Sequence, residues 1–391
     1  MTTVIFLLIL LLHKCRAETR SCHGGFLDPR TSMHIGQNWG HDLPAGTVHI
    51  DLHRVTRPFS AFEVRTYDPE GVLIFGDTAG GREWFLLGLR NGRPEIQIHN
   101  QFAKVTINGG RRINDGAWHK VVVRSDDHRI VLEVDEEQSL RIGHVTEGVT
   151  QSLQTIMRIS VGGILINRTE LLEPINSAMD GCIRNWVWLS LTPEWSQTYN
   201  PLNSSKLCFT SHQGGSYFAG SGKAIYRTRD CGSPPSEGSV WSLKIKFGLY
   251  TKSASFSLLT VLDPAEGPVL ILRSRDKTLV LELGNTTSLS APLKVDQNCA
   301  TTYVTLEVTD RGATLQVGDS VGRSAIAETT LKALKEAWQG NAMLLIGSDP
   351  NDEDHFHGCL QDFQIQGQTI DLDFALYRSD SIWPHSCPGS A

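Results

Sequence analysis

Few residues in this 391-residue chain are spaced as chemistry would require. Asp68 and Glu70, in the phrase Asp68-Pro69-Glu70-Gly71, come nearest to an acid–base pair. A glycosidase sets its two carboxylates on opposite sides of a sugar, several ångströms apart, and two residues of one four-residue turn cannot straddle a substrate. Two readings of the turn remain. One is a hard-cation site, because a turn gathers carboxylate and carbonyl oxygens at short range. The other is a solvated turn in which Asp68 bonds its own backbone. H-E-x-x-H, C-x-x-C and G-x-S-x-G are all missing, and with them the usual signatures of zinc hydrolases, thiol redox enzymes and elbow-type serine hydrolases. Ser221-Gly222-Lys223-Ala224 has the outline of a phosphate loop, but Tyr217 holds the first glycine position and Ala224 replaces the magnesium-binding hydroxyl. The last constellation is Ser60, Glu83 and Asn100, set among Phe59, Phe62, Trp84, Phe85, Ile98 and Phe102. Taken alone, such residues read as the wet face of a sheet.

The elements carrying these residues are strands. Apolar and polar residues alternate over Ala61–Thr66, Val72–Phe75, Trp84–Leu89 and Glu95–His99. Between them, Asp68-Pro69-Glu70-Gly71 supplies Pro for φ near −65° and Gly for a positive φ, and Arg90-Asn91-Gly92-Arg93 supplies the Asn-Gly pair of a tight hairpin. Strand-sized runs recur from Thr47 onward at short intervals, and the best helical pattern, Glu328–Trp338, is short. The class is all-β, with antiparallel sheets in a sandwich or barrel.

The chain also repeats itself. Gly181-Cys182-Ile183 followed by Trp186 corresponds to Gly358-Cys359-Leu360 followed by Phe363, and Ile159–Gly163 corresponds to Leu344–Ser348. Cys208 follows Cys182 by 26 residues and Cys387 follows Cys359 by 28, a duplicated spacing that pairs Cys182 with Cys208 and Cys359 with Cys387. Two copies of one β-sandwich are therefore expected, at 43–212 and 239–391. A polar arm at 18–42 precedes them, and the Gly-, Ser- and Pro-rich stretch 213–238 reads as a linker.

Val4–Leu12 is an apolar run too short for a comfortable membrane span, and Cys15-Arg16-Ala17 follows with small residues where a signal peptidase needs them, so residues 1–17 read as a secretory signal. Secretion puts the remaining cysteines where disulfides form. It also makes the sequons at Asn167, Asn203 and Asn285 glycan acceptors. Cys22, Cys231 and Cys299 are left over; Cys231–Cys299 is one pairing, and Cys22 could take either place. The net charge is −6 with no Lys/Arg run, which argues against nucleic-acid or other polyanion partners. No later stretch reaches membrane length, so a released, soluble protein is expected.

The phrases F-E-V-R-T-Y-D-P-E-G-V and W-F-L-L-G-L-R-N-G-R-P-E-I-Q-I-H-N resemble the first laminin G-like domain of the sex hormone-binding globulin family, and weaker resemblance runs from about Thr47 to the C-terminus. It implies two laminin G-like, jelly-roll sandwiches in tandem and a carrier of androgens and estrogens, not an enzyme. By position, Ser60 matches the residue that bonds the ring-A oxygen, and Asn100 the one that bonds the ring-D oxygen together with an acid. That acid is Asp in the family and Glu83 here. Phe85, Val123 and Met157 match apolar wall positions, and residues 148–155 match a cover over the entrance. The resemblance also favours calcium at Asp68, Glu70 and the Ala178 carbonyl. Histidines of a zinc site are replaced by Gln101 and Gln154, so no zinc is expected. A homodimer through the first domain is implied as well, and Lys104–Ile107 is an edge strand that would profit from a partner. The second domain lacks the matching phrases and is expected to be structural or partner-binding. The rival reading is a receptor or matrix ligand of the vitamin K-dependent protein S type.

Overall fold

The computed structural model describes residues 25–36, 44–55, 59–78, 80–126, 129–143, 156–191, 206–232, 241–251, 253–284, 287–294 and 300–389. Residues 1–17, Cys22, Cys299, Gln154, Asn203, Asn285 and the 148–155 cover lie outside them.

Among the described residues the first sandwich has twelve strands: β1 (Ser32–His34), β2 (Gly46–Asp51), β3 (Phe59–Thr66), β4 (Gly71–Thr78), β5 (Glu83–Arg90), β6 (Arg93–His99), β7 (Lys104–Asn108), β8 (His119–Asp126), β9 (Arg129–Val134), β10 (Glu137–Gly143), β11 (Ile156–Val161) and β12 (Gly181–Val187). One sheet runs β1-β12-β3-β8-β9-β10 and the other β2-β11-β4-β5-β6-β7, all antiparallel. Alternation drives the layering, since every second residue of a strand faces the opposite sheet. Phe62, Val64, Leu87, Leu89, Val121 and Leu132 fill the gap between the sheets. The β5–β6 hairpin closes on Asn91 (φ 52°) and Gly92 (φ 75°), as the Asn-Gly pair predicts.

Gly71 departs from its expected role. It opens β4 in an ordinary extended conformation, and what excludes a side chain is crowding: a Cβ would stand 2.5 Å from both the Ala178 carbonyl and Met179 Sδ.

The 18–42 arm needs correction, because β1 pairs with β12 and buries Met33 and Ile35. The linker at 213–238 needs a larger one. His212–Gly214 pairs with Ser386–Pro388, Ser216–Ala219 pairs with Gly358 and its neighbours in His357–Ile365, and Ala224–Arg227 pairs with Met343–Ile346. All three are strands of the second sandwich, whose two main sheets have, among the described residues, eight and seven strands. Its helix, Glu328–Gln339, turns Leu331, Leu334, Ala337 and Trp338 into the core. Both predicted disulfides, Cys182–Cys208 and Cys359–Cys387, are formed. Cys231 is a buried free thiol, so the Cys231–Cys299 pairing is not made; burial pushes its pKa up to about 12.

Candidate functional site

Between the sheets of the first sandwich lies a cavity of about 400 Å³. Its walls are mainly apolar: Phe62, Ile74, Ile96, Ile159 and Trp188, together with Phe85, Val123 and Met157. Ser60 enters from one sheet, where its register partner is Val123. Glu83 and Asn100 enter from the other, one step beyond the Trp84–His99 cross-strand pair. The three polar residues that the sequence scatters over 41 positions thus converge on one apolar space, while Gln101 is exposed and outside the lining.

Each polar group arrives with a defined polarity. The Leu189 backbone N–H donates to Ser60 Oγ at 3.0 Å, which leaves the serine proton to be given to something else. Asn100 Oδ1 accepts from the backbone N–H groups of Phe102 (2.9 Å) and Ala103 (2.7 Å), so its amide nitrogen is the end free to face a ligand. Glu83 accepts a long 3.5 Å bond from Thr78 Oγ1, its cross-strand partner. Behind them Asp77, fully buried, grips Arg158 with both oxygens, its Oδ1 2.8 Å from Nε. His99 stacks on Trp84 with ring centres 5.6 Å apart. Asp77, Thr78 and the Trp188–Leu191 turn were not singled out from sequence. Only the turn left a trace there, an apolar run just past a strand, and its Leu189 (φ 48°) and Ser190 (φ 64°) take conformations that residue type does not advertise.

The Asp68–Glu70 turn lies elsewhere, at the junction of the two sandwiches. Asp68 Oδ1 accepts from Glu70 N–H (3.0 Å) and Oδ2 from Asp180 N–H (2.8 Å), while Glu70 Oε1 accepts from Asn176 N–H at 2.9 Å, so segment 176–180 with Ala178 is strapped to the turn. Glu70 then faces Arg90, and Asp68 faces His385 of the second sandwich at 3.6 Å. His385 Nε2 also meets Asp373 (3.0 Å) and Asp371 (3.3 Å), and its backbone N–H donates to Asp180 Oδ2. Burial alone would lower the His385 pKa, but Asp68, Asp371 and Asp373 outweigh it and hold it well above the ordinary value. Burial likewise pushes Asp68 well up. Asp180 resists the same desolvation through its bond to His34 and sits far below the usual carboxylate range. Ligand atoms of Asp68, Asp373 and His385 all lie within 4.8 Å of one another. Asp373 Oδ1 is buried without a hydrogen bond, with Arg378 3.3 Å away.

Residues 64–192 match the laminin G domain model. Human sex hormone-binding globulin is 34% identical over 373 residues, covering 95% of this chain and 89% of that protein, and the rat protein is 34% identical over 361 residues, covering 89% and 84%. Mouse growth arrest-specific protein 6 is 29% identical over 385 residues, with only 56% of its length covered. Among solved structures, domains LG4–5 of the mouse laminin α1 chain superpose with a TM-score of 0.69 at 17% identity, covering 94% of this chain and 96% of that one, which fixes the fold as two laminin G sandwiches in tandem. Fold, cavity and relatives agree that the chain belongs to the sex hormone-binding globulin family.

Proposed function

We propose that this protein is a secreted carrier that binds sex steroids without covalent chemistry, in the cavity of its first sandwich. The observation that carries the reading is the pairing of an apolar slot with donors that face into it, from Ser60 on one sheet and Asn100 on the other. Burying about 400 Å² of apolar ligand at about 25 cal/mol per Å² yields about 10 kcal/mol, which exceeds several kcal/mol of association cost. Affinity comes from the walls. Selection comes from the polar ends, because a buried donor with no acceptor costs about 1–3 kcal/mol. Ser60 gives its proton to a ring-A oxygen, Asn100 gives an amide proton to a ring-D oxygen, and Glu83 accepts from a hydroxyl there. The test is saturable binding of tritiated androgen by the full chain, at one ligand per chain, weakened by Ser60→Ala for ligands with a ring-A oxygen only. Absence of saturable binding would overturn the reading.

The reading extends to calcium, which would be held by Asp68, Glu70 and the Ala178 carbonyl. The clustering of Asp68, Asp373 and His385 ligand atoms within 4.8 Å of one another supports a cation at the junction, with Asp373 joining from the second sandwich, where the ion would compete with Arg378 and the His385 proton for those carboxylates. A bound ion there would tie the two sandwiches together. The exposed sequon Asn167-Arg168-Thr169 is a glycan acceptor on the same reading, as are Asn203 and Asn285. Dimerisation is assigned to β7, which among the described residues pairs with β6 alone and carries half-buried Val105 and Ile107 at the sheet edge.

A further inference from the structure

Gly76 and Phe85 face each other across β4 and β5, and both line the cavity. Position 76 has no room for a side chain: a Cβ there would stand 2.3 Å from Phe85 Cε1 and 2.6 Å from Cζ. The residue sits inside an extended strand and not at a turn, so what it supplies is space. The aromatic ring occupies the volume that a side chain at 76 would claim.

The second sandwich provides an internal control. Aligning the strands that lead into Gly162 and Gly347 puts Val261 where the first sandwich has Gly76, and the cross-strand partner of Val261 is Leu270. Both are fully buried in the core of the second sandwich. The same pair of strands thus carries Gly opposite Phe beside the cavity and Val opposite Leu inside a hydrophobic cluster.

We infer that Gly76 is the specificity-determining residue of the cavity: by leaving β4 bare, it lets Phe85 fold back into the wall and sets a slot wide enough for a flat, fused-ring ligand. Gly76 acts through Phe85 and is a positioning residue. The inference rests on the steroid reading for its ligand, though not for its geometry.

The experiment uses the full chain as wild type, Gly76→Ala, Phe85→Leu and the double variant. Gly76→Ala should weaken tritiated androgen binding about tenfold, the scale expected when one methyl group overpacks a filled site. Phe85→Leu, which strips an apolar wall group, should weaken binding in the wild-type background but strengthen it about threefold in the Gly76→Ala background, because a smaller partner makes room there; equal losses in both backgrounds overturn the inference. Should Gly76→Ala fail to fold, Phe85→Leu should rescue it, and failure to do so overturns the inference. Wild-type binding that Gly76→Ala leaves unchanged also overturns it, with the steroid reading intact. If the wild type binds no steroid, the steroid reading fails by itself. A crystal structure of Gly76→Ala then decides the inference: a Phe85 ring displaced into the cavity supports it, and an unmoved ring sinks it.

Discussion

The two sandwiches share a strand plan and differ in what fills them. Where the first has Ser60, Gly76 and Val123, the second has Ile245, Val261 and Leu306, each fully buried. The second also lays a helix over its core and inserts Trp338, which is wholly enclosed. Small or polar residues at a few inward positions are enough to turn a core into a container. The remaining walls pay in lost packing for the empty volume, because a void forfeits contacts with the atoms that would fill it.

That contrast can be attacked from both sides. Trp338→Ala should have the largest effect, destabilising the second sandwich by about 3–5 kcal/mol through cavity formation. Calorimetry should show this loss while steroid affinity, measured below the transition, stays within about twofold. Ser60→Ile, which installs the residue of the second sandwich, should all but abolish steroid binding; in the melting temperature, apolar volume gained in the cavity is set against the acceptor lost to the Leu189 N–H, and the two should nearly cancel. A fall in stability of more than about 3 kcal/mol would mean that the cavity is smaller in solution. Asn100→Ala should be milder, at about 1–3 kcal/mol of affinity for ligands with a ring-D oxygen and little for those without, read by competition binding. Calcium at the junction should raise the melting temperature through mass action, and Asp68→Ala should remove the rise. Unchanged melting on chelation would return Asp68 and Glu70 to a plain turn. Glu83→Asp should be smallest, changing affinity by less than about tenfold, because the carboxylate is already loosely held by Thr78.

Much of the first sandwich was legible in the sequence, since its strands alternate cleanly and Asn91-Gly92 marks its hairpin. Ser221 and Gly222, by contrast, punctuate 213–238 so densely that Ser216–Ala219 and Ala224–Arg227, four residues each, read as linker. Their pairing partners lie more than a hundred residues away, and no local pattern encodes that. β1 was hidden for the same reason, being three residues long and held by β12. The candidate steroid residues could be named only through family resemblance, because Ser60, Glu83 and Asn100 have no spacing of their own and meet through two sheets. Gly76 leaves a signal in the internal repeat, which sets it against Val261. Of the junction only the Asp68–Glu70 turn was legible; Asp180, Asp373 and His385 join it only when both sandwiches are built.

The pairing of His212–Gly214 with Ser386–Pro388 has a consequence for biosynthesis. A chain emerging from the ribosome can assemble β1 to β12 early, but the strands just after Cys208 must wait for partners translated more than a hundred residues later. Over that interval Tyr217, Phe218 and Tyr226, all buried at the end, are exposed to solvent and to chaperones. At synthesis rates of about 5–20 residues per second the wait lasts on the order of ten seconds, long enough for the first sandwich to mature before the second can close.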